Sequence, residues 1–177
     1  MIISSVEVAQ AAALAPPDLH AAPCVELAPE GRSLFIVAGG GRELAWSSGQ
    51  IASQLLARTG GRSVQLLLHG GARGADQAID QAAQQLGWPV LSLPADWQRF
   101  GRAAGPIRNR LLLEQALGKA EALNSPDQLV SVLVMAFPGG AGTASLVQQA
   151  RRLALVSAVP IAVSQISGQI AASLPNF

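Results

Sequence analysis

The residues most able to do chemistry gather in four short stretches. The first is Gly39-Gly40-Gly41-Arg42, and the second is Gly70-Gly71-Ala72-Arg73-Gly74-Ala75-Asp76. The third runs from Asp96 and Trp97 through Arg102 to Arg108 and Asn109, and the fourth is Pro138-Gly139-Gly140-Ala141-Gly142-Thr143. Glycines let backbone N–H groups come close to a ligand. A glycine loop that opens a helix aims free N–H donors at an anion, and the helix dipole adds to the attraction. Gly139, Gly140 and Gly142 followed by Thr143 fit that design, with the Thr143 hydroxyl able to cap the helix or bond a phosphate oxygen. Gly70, Gly71 and Gly74 repeat it. Neither loop ends in Gly-Lys-Ser/Thr, so neither is a P-loop.

Arginine makes two-pronged contacts with phosphates and carboxylates. Lys119 is the only lysine among 12 basic residues. Arg73, Arg102 and Arg108 sit inside or beside the loops. A cation in the first turn of a helix opposes the helix dipole, so Arg108 implies an anion nearby, or a carboxylate such as Asp96. Asp76 suits either a helix start or a ligand. Asp96 is read as a contact to ribose hydroxyls or as an acid/base, because the next helix is expected to begin only at Pro106. Trp97 serves either as a stacking surface for a base or as core. His69 is expected to be buried and hydrogen-bonded.

These loops need a scaffold that brings them together. Short, mostly continuous apolar runs lie at Leu34–Ala38, Val64–His69, Pro89–Leu93, Val132–Phe137 and Val159–Val163. Continuous rather than alternating runs suit parallel strands buried on both faces. Helical periodicity falls between them, over Ala75–Leu86, Pro106–Leu117 and Ser48–Arg58, and again through Leu146, Val147, Ala150, Leu153 and Ala154. Gly118–Gln128 reads as a connection. The alternation predicts a Rossmann-like three-layer αβα fold with a mainly parallel sheet of five or more strands. In such a sheet ligands bind beyond the carboxyl ends of the strands, which is where all four loops fall.

Composition narrows the classes. The chain has 177 residues, of which 50% are hydrophobic and 13% charged, with a net charge of +1. This fits one domain with a sizeable core and gives no bulk attraction to nucleic acid or a membrane. With 4% aromatic residues and no tyrosine, a stacking surface for single-stranded nucleic acid is disfavoured. Cys24 stands alone, which excludes an internal disulfide and a multi-cysteine zinc site, and no metal is expected. No run approaches a membrane span, and residues 1–31 lack Lys and Arg, so a cytoplasmic location is the expectation. Residues 1–31 are rich in Ala and Pro and read as an extension with one short helix near Val6–Leu14. Residues 32–177 form the domain.

In this order, His69–Asp76, Pro94–Trp97, Gly101–Asn109 and Ala136–Thr143 resemble the SLOG superfamily, in particular its YspA/YpsA-related branch. The likeness covers about Ser33 to Val163. It implies a sheet that holds a nucleotide or a nucleotide derivative, with phosphate on Gly139–Thr143, Arg108, Asn109 and Arg73 completing the anion site, and Asp96 facing the sugar. It implies no further cofactor, and it implies pairing of copies through helices. Relatives include the LOG phosphoribohydrolases and the single-stranded-DNA-binding DprA. The LOG pattern Pro-Gly-Gly-x-Gly-Thr-x-x-Glu ends here on Leu146, which cannot do acid/base work. Ligand binding is therefore the leading expectation. N-glycosidic hydrolysis of a nucleoside monophosphate, using Asp96 or Asp76, is the alternative.

Overall fold

A computed structural model describes residues 33–168. The Ala/Pro-rich extension, its expected helix and Cys24 lie outside the described residues. Five strands run β1 (Ser33–Gly39), β2 (Ser63–His69), β3 (Val90–Ser92), β4 (Val130–Ala136) and β5 (Ile161–Gln165). Five helices separate or follow them: α1 (Ser48–Thr59), α2 (Ala75–Gln85), α3 (Trp97–Phe100), α4 (Ala104–Leu123) and α5 (Ala141–Ala154), with one 3-10 turn over Gly101–Ala103. All strand pairs are parallel, in the order β3-β2-β1-β4-β5. This is the expected Rossmann-like αβα sandwich.

The sheet is buried on both faces, so its strands are apolar at successive positions. Leu34, Ile36 and Ala38 of β1 face a core shared with Ile51 and Leu55 of α1 and Ile79 of α2. Phe35 and Val37 face the opposite core, with Leu112, Leu113 and Ala116 of α4 and Leu146 and Ala150 of α5. Each fully buried Leu, Ile or Val contributes about 1.5–3 kcal/mol by leaving water. The apolar face of α2 follows helical spacing, with Ala75, Ala78, Ile79, Ala82 and Ala83 all buried. α1 starts at a capping box, Ser47 with Gln50, and stops at Gly60 in the left-handed region.

Several boundaries differ from the sequence expectation. α4 begins at Ala104, so Pro106 sits at its third residue, where a missing N–H still costs nothing. It also continues through Gly118 to Leu123, because Leu117 and Ala120 remain buried on the same face. Gly118–Leu123 is therefore helix, not connection. β5 starts two residues later than expected, at Ile161. The four-residue helix α3 was not anticipated. Among the described residues, no helix is long and apolar enough to cross a membrane.

A cleft where the strand order reverses

β1 pairs with β2 on one side and β4 on the other, so the connections leave the sheet in opposite directions between β1 and β4. A crevice opens at such a switch point, outside the carboxyl ends of the strands. Here it has a volume of about 490 Å³. Its walls come from the ends of β1, β2 and β4, and from the starts of α3, α4 and α5.

The backbone of the cleft is tied together directly. Gly41 N–H donates to Pro138 O (2.9 Å), and Ala75 N–H donates to Gly41 O (3.0 Å). The β1 loop is thus stitched to the β4 loop and to the start of α2. A Cβ on Gly139 would fall 2.6 Å from Gly41 N and 2.2 Å from Thr143 Oγ1, so only glycine permits this contact.

Arg108 is the central side chain. Its guanidinium lies on Gly70, where an added Cβ would fall 1.1 Å from Nη1. Its Nε donates to Asn109 Oδ1 (3.1 Å), and Asn109 Nδ2 donates to Gly142 O (3.0 Å). Asn109 is 4% exposed. The pair therefore locks the start of α4 to the start of α5. Nη1 of Arg108 stands 3.7 Å from Asp76 Oδ2, and that carboxylate oxygen accepts from Ala72 N–H at 3.1 Å. Burial lowers the Arg108 pKa from its ordinary value; Asp76 opposes the shift and nearby Arg42 adds to it. Neither terminal nitrogen of Arg108 makes a hydrogen bond among the described residues.

The start of α5 adds donors. Gly140 is its N-cap and supplies no side-chain bond, so the first-turn N–H groups of α5 have no acceptor among the described residues. By contrast, α1 and α3 carry side-chain caps at Ser47 and Asp96. Arg42 and Arg102 also line the cleft, and Asp76 is the one carboxylate among the lining residues. Trp97, 48% exposed, stands at the rim with the Arg42 guanidinium 4.9 Å from its ring centroid. Leu146 lines the floor and is 2% exposed.

Of the residues singled out in the sequence, Gly40, Arg42, Gly70, Asp76, Trp97, Arg102, Arg108, Asn109, Gly140, Gly142 and Thr143 line this one cleft. Six others do not. The Asp96 carboxylate accepts from Arg99 N–H (3.0 Å) as the N-cap of α3 and faces solvent. The unforeseen α3 uses it as a cap, and it does not line the cleft, where an acid/base or ribose contact was expected. Arg73 pairs with Glu43 on the exposed surface, away from the cleft. Gly71 N–H donates to His69 Nδ1 (3.2 Å), which leaves His69 Nε2 to donate to Asp80 (3.1 Å). Gly74, at φ +75°, turns the chain into α2 beneath Arg42 O. Pro138 and Gly139 support the wall by backbone packing rather than lining it.

Sequence reasoning did not single out Leu112, Ser145, Gly105 or Pro106, all of which line the cleft. Helical spacing contained the signal, since Leu112 lies four residues after Arg108 and Ser145 three after Gly142. Among the described residues, no group of His, Cys, Asp and Glu is placed to hold a metal ion.

Fold and cleft together define a class: a Rossmann-like α/β domain with a basic, amide-lined crevice at its switch point. Residues 36–100, from β1 to α3, match the model of the YspA, cpYpsA-related SLOG family. Neither a curated protein nor a solved structure matches the chain.

Proposed function

We propose that the cleft binds a nucleotide or nucleotide-derived phosphate ligand, and that the domain acts as a sensor or carrier of it. The observation that carries this reading is the convergence of Arg42, Arg102 and Arg108 with the open amides of α5, set against the single carboxylate of Asp76. Such a field favours an anion. Phosphate would sit on Gly140, Gly142 and Thr143 and within reach of the terminal nitrogens of Arg108, which make no hydrogen bond among the described residues. Trp97 and the apolar floor of Leu112 and Leu146 would border the remainder of the ligand. The match of residues 36–100 to the YspA, cpYpsA-related SLOG family supports a nucleotide-related ligand.

N-glycosidic hydrolysis receives less support. Leu146 stands at the cleft floor as an aliphatic side chain, Asp96 caps α3, and Asp76 is held by Ala72 N–H and Arg108. A thermal-shift panel of nucleoside mono-, di- and dinucleotide phosphates at millimolar concentration tests the proposal. At least one should raise the melting temperature, and Arg108→Met should remove that shift. A silent panel would overturn it.

A further inference from the structure

We infer that Arg42 and Arg108 form a two-pronged clamp on one doubly charged oxyanion, a terminal phosphate group rather than a phosphodiester, and that Trp97 is the positioning residue for the Arg42 prong. The inference rests on reading the cleft as a phosphate site and goes on to specify the charge and ester state of what it takes.

The two prongs are held differently. Arg108 is fixed from below by Gly70 and from the side by Asn109, with 17% of its side chain exposed. Arg42 comes from the β1 loop and has no hydrogen bond or salt bridge among the described residues. Its guanidinium rests instead over the Trp97 ring, at 4.9 Å. Trp97 in turn rests against Gly105, where a Cβ would fall 3.4 Å from Cη2. A cation over an indole face is attracted by the ring quadrupole. The contact reaches from the β1 loop to α3 and keeps Arg42 on the rim of the cleft.

Charge fixes the class of occupant. Arg42 lies close enough to Arg108 to disfavour its charged form, so the two cations repel across the cleft. Asp76 offsets one positive charge from the side and lies below the mouth, 3% exposed. An anion between the prongs relieves the repulsion, and a dianion relieves it more than a monoanion. A terminal phosphate monoester is a dianion above its second ionisation, whereas a phosphodiester stays a monoanion. One face of Trp97 is covered by Arg42, so the ring braces the clamp on that side.

The ionisable groups around the clamp are Asp76 on α2, Arg102 in the 3-10 turn, Glu43 with its partner Arg73, and Asp96 and Arg99 on α3. His69 and Asp80 pair behind the β2 loop. The test must separate their titration from that of the ligand. Calorimetric titration of the full chain with orthophosphate at about pH 5 and about pH 8 brackets its second ionisation, leaving a monoanion at the lower value and a dianion at the higher. Sulfate, a dianion at both values, reports any response of the protein itself.

Orthophosphate affinity is expected to rise about tenfold between the two values while sulfate affinity does not. Arg42→Gln should weaken orthophosphate at the higher pH by about tenfold and flatten the rise. Trp97→Ala should weaken it by roughly a few-fold, and Trp97→Phe should restore most of that loss. Absent or pH-independent orthophosphate binding, or an unaffected Arg42→Gln, overturns the clamp. Trp97→Ala titrating like the parent overturns the positioning role. A nucleotide panel that responds while orthophosphate fails at both pH values refutes the clamp alone. A silent panel with clamp-dependent orthophosphate binding refutes the nucleotide reading and leaves the clamp standing.

Discussion

Gly70→Ala isolates the role of one close contact. Gly70 does not adopt a positive φ, so alanine suits its backbone, and the swap by itself would stabilise the fold by about 0.4–1 kcal/mol through the unfolded state. The new methyl, however, would stand 1.1 Å from Arg108 Nη1. The clash is with the end of a flexible side chain, so the guanidinium swings away and the backbone stays. That movement breaks the bond from Arg108 Nε to Asn109 Oδ1 and separates Arg108 from Asp76. A hydrogen bond involving a charged group contributes about 1.5–3 kcal/mol. Set against the glycine gain, the net loss is about 1–2 kcal/mol, a fall of a few degrees in melting temperature.

Ligand affinity should fall further, by roughly 10- to 150-fold, because in the proposed site the same guanidinium would contact the anion. Denaturant unfolding of Gly70→Ala, Arg108→Ala and the double variant checks the reasoning directly. With Arg108 already removed, the three nearest atoms that the new methyl would meet are gone, so the two losses should not add. Full additivity within about 0.5 kcal/mol would refute the argument, since it would mean that Gly70 acts independently of Arg108.

Three further outcomes follow from the geometry. Gly139→Ala meets backbone at Gly41 N (2.6 Å) as well as the Thr143 hydroxyl, so side-chain movement alone cannot relieve the clash, and it should destabilise by about 1–3 kcal/mol in denaturant titration. Leu146→Ala removes a side chain that joins the cleft floor to the core beneath α5, and should cost about 2–5 kcal/mol, read from the same titration. Asp96→Ala should lower stability by about 0.5–2 kcal/mol through loss of the α3 cap. Nucleotide or phosphate affinity measured by calorimetry should stay unchanged in this variant, whereas a strong loss of binding would return Asp96 to the site.

The sheet was legible because burial on both faces leaves a plain trace, a continuous apolar run such as Val132–Phe137 between polar turns. The cleft was legible for a related reason: glycine and arginine recur just after those runs, and parallel topology puts every such position on one rim. What escaped detection was short or decided by packing. α3 has four residues, too few for any periodicity, and its presence changed the role of Asp96. Gly118 looked like a break in α4, but the buried Leu117 and Ala120 on either side outweigh its low helix propensity. Arg73 and Arg108 look alike in sequence. Only the fold decides that one meets Glu43 at the surface while the other lies across Gly70.

The bonds from Gly41 to Pro138 and from Ala75 to Gly41 make the floor of the crevice a single welded piece. Neither the β1 loop nor the β4 loop can lengthen by a residue without parting from the other. In the proposed site, a change of ligand preference is therefore expected to come through exchange of side chains around a constant frame.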